Sequence, residues 1–85
     1  MAFVFPEENA SIYLTKDFSN KVNGLVFKLV HTNTNTSVFW YLNDSYIGET
    51  TTIHEIEISP KKGKHTITVV DAFGNEIKRK FEIKD

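Results

Sequence analysis

The fold is decided by the stretch Val38-Phe39-Trp40-Tyr41-Leu42-Asn43-Asp44-Ser45-Tyr46-Ile47-Gly48-Glu49. In an extended strand, side chains alternate between the two faces. Val38, Trp40 and Leu42 would therefore share one face, with Phe39 and Tyr41 on the other. Residues 43–45 are turn formers, and a short apolar return follows at residues 46–49. This order predicts a β-hairpin.

The same alternation continues along most of the chain, and no stretch longer than one turn has helical periodicity. Short apolar runs lie at residues 3–5, 11–14, 24–30, 53–58, 65–70 and 77–83. Gly63 and Gly74 fall in two of the intervening turns, where a positive φ is expected. This spacing predicts an all-β fold, a small immunoglobulin-like antiparallel β-sandwich of about seven short strands. The core would hold Trp40 with Leu29, Ile56, Ile67, Val69 and Phe81.

The length, charge and composition of the chain exclude several classes of function. The chain has 85 residues with a net charge of −1, and 25% of its residues are charged. We expect a single domain over residues 1–85. The balanced charge argues against nucleic acid as a partner. No apolar run approaches the ~18 residues of a membrane span, so no direct membrane insertion is expected. Cysteine is absent, which excludes disulfides and thiolate chemistry.

Several residues could be proposed for catalysis, but their surroundings favour structural roles. The five serines are Ser11, Ser19, Ser37, Ser45 and Ser59, and none lies in a Gly-x-Ser-x-Gly elbow. Glu55 and Glu57 lie two residues apart, which is typical of a solvated strand face. A catalytic acid and base would need unequal environments. We predict no catalytic residue, and therefore a chain that is not an enzyme.

The three histidines, His31, His54 and His65, are far apart in the sequence. A metal site could form if His54 and His65 faced each other across the turn at residues 60–63. Zinc needs three or four ligands, so we favour partly buried rings that bond to their neighbours. No metal ion and no cofactor are predicted.

Two turns are the candidate binding site. Loops at the end of a rigid scaffold commonly carry binding residues. A hairpin arrangement could bring the two turns together at one end of the sandwich. The candidate residues are Asn43, Asp44 and Tyr46 in the first turn, and Asp71, Phe73 and Asn75 in the second. As an alternative ligand surface, Phe39, Tyr41, Tyr46 and Phe73 could expose aromatic faces to a sugar ring.

Longer motifs resemble a known family. The aromatic strand and return at residues 39–50 combine with Pro60-x-x-Gly63-x-His65-Thr66 and Asp71-x-x-Gly74-Asn75, with Phe5-Pro6 near the start. Together they resemble the C-terminal domain of penicillin-binding protein 1C, across nearly the whole chain. The resemblance implies an appendage to the transglycosylase and transpeptidase domains of a bifunctional bacterial cell-wall synthase. It also implies a periplasmic or cell-envelope location within a membrane-anchored parent protein.

The resemblance implies a non-catalytic accessory domain, because the catalytic residues of such synthases have no counterparts in these residues. The expected partners are protein partners or neighbouring domains of a cell-wall synthase. The alternative is a carbohydrate-binding module that recognises the glycan strands of peptidoglycan. A glycan binder should expose aromatic residues beside Asn, Asp or Arg side chains, whereas a protein contact should show a contiguous apolar patch or an open sheet edge.

Overall fold

The computed structural model describes residues 1–13, 24–33 and 35–84. None of these residues is helical. They form eight strands: β1 (Ala2–Phe5), β2 (Ala10–Tyr13), β3 (Leu25–Val30), β4 (Ser37–Leu42), β5 (Ser45–Thr51), β6 (His54–Ile58), β7 (Gly63–Asp71) and β8 (Glu76–Lys84). Two residues considered above lie outside the described residues: Ser19, one of the five serines, and Leu14, at the end of the apolar run 11–14. The described part of the chain contains no helix that could span a membrane.

The strands form two sheets, with the orders β1-β3-β6 and β2-β8-β7-β4-β5. This division resembles the immunoglobulin-like sandwich, in which a three-stranded sheet packs against a larger one. The predicted all-β sandwich is confirmed, as is the hairpin formed by β4 and β5. One pairing differs from the prediction of purely antiparallel sheets, because β2 runs parallel to β8.

The parallel pair arises where the chain changes sheets near its start. β1 pairs with β3 in the smaller sheet. After Pro6 the chain crosses to the larger sheet, and the backbone N–H of Asn9 donates to the carbonyl of Lys80 at 2.9 Å. β2 then continues beside the last strand, with Ala10 opposite Phe81. Alternating side chains do not specify strand direction, so the sequence pattern could not reveal this pairing.

The core lies between the two sheets and is built from the inward positions of four strands. Its buried members are Phe27, Leu29, Val38, Trp40, Ile67, Val69, Phe81 and Ile83. The Phe27 ring meets the Phe81 ring edge-on, with centroids 5.2 Å apart. Four of the expected companions of Trp40 are buried with it, and Ile56 is partly buried against the same cluster. The sequence prediction of the core is confirmed.

Candidate functional site

The β4–β5 turn is shaped by its first candidate residue. Asn43 and Asp44 both have positive φ, at 51° and 73°. Two such residues in a two-residue loop form the turn that best matches strand twist, and Asn and Asp tolerate this conformation. The Asn43 side chain bonds to two residues of β7. Its Oδ1 accepts from the Thr66 N–H at 2.8 Å, and its Nδ2 lies 2.8 Å from His65 Nδ1. Asn43 therefore fixes the turn against the neighbouring strand.

The β7–β8 turn is organised by the Asp71 carboxylate, which is only 3% exposed. Its Oδ1 accepts from the backbone N–H groups of Phe73 at 2.9 Å and Asn75 at 2.8 Å. Its Oδ2 accepts from the Asn75 amide at 2.9 Å and lies 2.9 Å from His31 Nε2. Gly74 completes the turn with a φ of 87°. Asp71 is thus an internal support, whereas the Phe73 ring is 67% exposed.

The two turns do not come together, which corrects the prediction of one shared site. β4 and β7 are antiparallel neighbours, with Val38 opposite Asp71 and Leu42 opposite Ile67. The turn that follows β4 therefore lies beside the start of β7, and the turn that follows β7 lies at the other end of the sheet. Ile67 and Asp71 alone are separated by about 13 Å along the strand. The six candidate residues belong to two separate places.

Asp44 and Tyr46 do adjoin a concave surface on the outer face of the five-stranded sheet. The Tyr46 ring packs edge-on against the Tyr41 ring, with centroids 5.6 Å apart, and Tyr46 is 57% exposed. Beside them lies a shallow depression of about 280 Å³, which we call the tyrosine groove. It is lined by Tyr41, Asp44, Thr68, Val70, Glu76 and Lys78. Thr68 and Lys78 were missed by sequence reasoning, although their outward strand positions were a usable signal.

A second depression lies further along the same face. It encloses about 410 Å³, and its lining includes Asn9, Ser11, Asn43, Thr66, Lys80 and Glu82; we call it the asparagine groove. Thr66 and Lys80 are register partners, as are Thr68 and Lys78 in the tyrosine groove. The two grooves therefore follow each other along β7 and β8, about 7 Å apart.

The outer face of the three-stranded sheet carries an apolar patch, formed by Val4, Val30 and Ile53. Val4 and Val30 are each 55% exposed and Ile53 is 70% exposed. All three line one shallow depression of about 270 Å³. A second depression, lined by Met1, Ala2 and Val30, extends the apolar surface. The alternation along β3 places Val30 on the face opposite Phe27 and Leu29.

Two histidines, His31 and His54, are hydrogen-bonded to neighbouring side chains. Trp40 Nε1 donates to Thr50 Oγ1 at 2.9 Å, so the Thr50 proton is available to His54 Nδ1 at 2.8 Å. His54 Nε2 is a buried atom without a hydrogen-bond partner among the described residues. His31 Nδ1 accepts from the Asn33 N–H, so its proton is on Nε2, facing Asp71.

Their environment perturbs two pKa values. Burial, together with the nearby His31, lowers the pKa of His54 below its usual 6.5. The hydrogen bond from His31 holds the pKa of Asp71 well below its usual range, with further lowering by the bonds from Asn75 and Phe73 and an opposing effect of burial. Each shift favours the form that is present at neutral pH.

We expect stability to fall on acidification in two stages. Below about pH 6.5 the unfolded chain binds a proton at His54 more readily than the folded chain does, so stability declines by at most about 1.4 kcal/mol per pH unit for one group. Below the usual carboxyl pKa of 3.8, protonation of Asp71 in the unfolded chain adds a further loss. Melting temperatures between pH 8 and pH 3 measure both stages. In His54→Gln the loss of stability between pH 7.5 and pH 5 should be smaller than in the wild type. A wild-type melting temperature that does not change over this range would contradict the expectation.

The histidines do not assemble a metal centre in the described part of the chain. His54 lies beside His31, with ring centroids 6.3 Å apart, whereas His65 stacks on Phe81. His65 also contacts Asn43 and the carbonyl of Lys61. No group of three or more potential ligands that could hold a metal ion is present among the described residues. The two rings expected to bond to their neighbours do so: His54 Nδ1 lies 2.8 Å from Thr50 Oγ1, and His65 contacts Asn43 and Lys61.

One serine has a spacing that bears on catalysis. Ser59 is followed by Lys62 three residues later, as in the Ser-x-x-Lys motif of serine acyltransfer enzymes. A helix brings residues at this spacing onto one face. Residues 59–62 lie between β6 and β7 and contain no helical turn. In extended chain the two backbone positions are about 10 Å apart, so the spacing alone does not create a nucleophile and base.

Comparison with known proteins gives one family. The model of the penicillin-binding protein C-terminus family matches residues 1–81. Neither the curated proteins nor the solved structures contain a significant match to the chain.

Proposed function

Because this chain belongs to the penicillin-binding protein C-terminus family, we propose that it is a non-catalytic interaction domain of a bacterial peptidoglycan synthase. It works at the cell envelope and contacts a protein partner or a neighbouring domain of the synthase. The contact surface is the outer face of the three-stranded sheet.

The observation that carries this proposal is the apolar patch. Exposed Val4, Val30 and Ile53 adjoin one depression, and such patches with polar borders are typical of protein–protein contacts. The border here includes the Lys28–Glu55 ion pair, with Nζ and Oε1 3.7 Å apart. β1, on the same side, is an edge strand of its sheet. An apolar patch and a sheet edge, the two features expected of a protein contact, therefore occur together on this sheet.

A photo-crosslinking experiment tests the contact. Val30 is replaced by benzoylphenylalanine, and the domain is irradiated with bacterial envelope membranes whose synthases carry a fluorescent penicillin. We expect a crosslinked band that is fluorescent, since the partner belongs to a synthase. The matched control carries the same group at Tyr46, on the outer face of the other sheet. Equal fluorescent crosslinking from both positions, or none from position 30, would refute the proposal.

We predict that the isolated domain forms no acyl adduct with a penicillin and cleaves neither β-lactams nor glycan strands. An acyl-enzyme needs a serine beside a base and an oxyanion hole. The Ser37 hydroxyl lies 3.4 Å from the Thr51 hydroxyl, and both ring nitrogens of His31 and His65 contact groups other than serine. Intact mass measurement after incubation with penicillin decides the question. A stoichiometric adduct, above all on Ser59, would overturn the prediction.

A further inference from the structure

The outer face of the five-stranded sheet combines aromatic rings with hydrogen-bonding groups. Tyr46 is 57% exposed and packs against Tyr41, which lines the tyrosine groove. Aromatic rings offer an apolar face to the C–H groups of a pyranose, while their hydroxyls remain available for hydrogen bonds. In the same groove, the Thr68 hydroxyl and the Asp44 carboxylate supply further partners for sugar hydroxyls.

The charges that line the two grooves are balanced. Lys64, Lys78 and Lys80 are accompanied by Asp44, Glu76 and Glu82. A polyanion such as nucleic acid requires an excess of cations. The interspersed carboxylates would repel its phosphates. The same polar lining disfavours an apolar protein surface, so the complementary ligand is uncharged and rich in hydroxyl groups.

The grooves also indicate an extended ligand. They lie in sequence along β7 and β8, with Thr68 and Lys78 in the tyrosine groove and Thr66 and Lys80 in the asparagine groove. Successive positions two residues apart would meet successive units of a polymer. We infer that this face binds a glycan chain of hexopyranose units, with one sugar ring against the tyrosines and the next units in the asparagine groove. This site is separate from the apolar patch, which lies on the other sheet.

The test is a titration of the ¹⁵N-labelled domain with two neutral oligosaccharides, the hexamer of N-acetylglucosamine and cellohexaose. We expect at least one of them to shift the backbone amide signals of Tyr41, Thr66 and Thr68. Tyr46→Ala should weaken binding by about five- to tenfold, because a stacking face is removed. Tyr46→Phe keeps that face and should retain most of the affinity.

Phe73→Ala is the matched control. It removes another exposed aromatic ring, which lines neither groove, and should leave binding unchanged. A sulfated heparin hexamer should bind more weakly than the neutral glycan. The inference is overturned if neither neutral oligosaccharide shifts these signals, if heparin binds more tightly, or if Tyr46→Ala retains full affinity. Val30→Ala tests independence from the proposed protein contact, since it should not alter glycan binding.

Discussion

Trp40→Ala should lower the free energy of unfolding by about 3–5 kcal/mol, because it removes the largest fully buried side chain of the core. It also removes the N–H that bonds to Thr50. A chain of 85 residues has a total stability of roughly 4–13 kcal/mol. The loss is a large fraction of this total, so we expect the melting temperature to fall by more than about 10 °C. Thermal unfolding followed by circular dichroism measures the effect.

Two variants separate the loss of volume from the loss of the hydrogen bond. Trp40→Phe keeps most of the ring volume and should fold with a smaller loss, since it chiefly leaves Thr50 without its donor. Tyr46→Ala removes an exposed ring and should melt close to the wild type. A Trp40→Ala protein that melts cooperatively at nearly the wild-type temperature would show that Trp40 does not support the core.

Asp71→Ala should lower the melting temperature by more than about 10 °C, although the substituted side chain lies in a turn. The carboxylate accepts hydrogen bonds from three donor groups of the turn and from His31, which lies on the segment after β3. Its loss leaves buried donors without an acceptor and releases the connection between the turn and that segment. Differential scanning calorimetry provides the comparison.

Asn75→Ala is the matched control for Asp71→Ala. It removes the side-chain amide that donates to the carboxylate and leaves the two backbone N–H donors of the turn in place. We expect a much smaller decrease. Asp71→Asn keeps the shape of the side chain but places an N–H group among donors, so it should behave more like Asp71→Ala. If Asp71→Ala melts within about 2 °C of the wild type, the carboxylate does not organise the turn.

The inward-facing positions could be predicted from the sequence because the two-residue period is directly readable. Phe27 and Leu29 on β3, and Ile67 and Val69 on β7, are buried at the alternation the sequence indicates. Strand direction and strand neighbours are determined by long-range pairing, which one sequence does not display. For this reason β2 was expected in an antiparallel sandwich and instead lies parallel to β8.

The candidate site was predictable in its parts but not in its arrangement. Asn43 and Asp44 were recognisable as turn residues, and both adopt positive φ. Their separation from Asp71 follows from the antiparallel pairing of β4 with β7, strands that are distant in sequence. The role of Asp71 was also unpredictable, because its partner His31 lies 40 residues away along the chain.

The parallel pairing of β2 with β8 has a mechanical consequence. If the ends of the chain are pulled apart, the tension reaches β2 once β1 has separated from β3. It then draws β2 and β8 in opposite directions along their common axis. Their contact, from Ala10 opposite Phe81 to Tyr13 opposite Lys84, is then loaded in shear. In this geometry all the hydrogen bonds between β2 and β8 resist the pulling force together. An antiparallel pair pulled from one end would instead lose its hydrogen bonds one after another. Forced unfolding depends on the height of the unfolding barrier, so this geometry resists stretching beyond what the small core would provide alone.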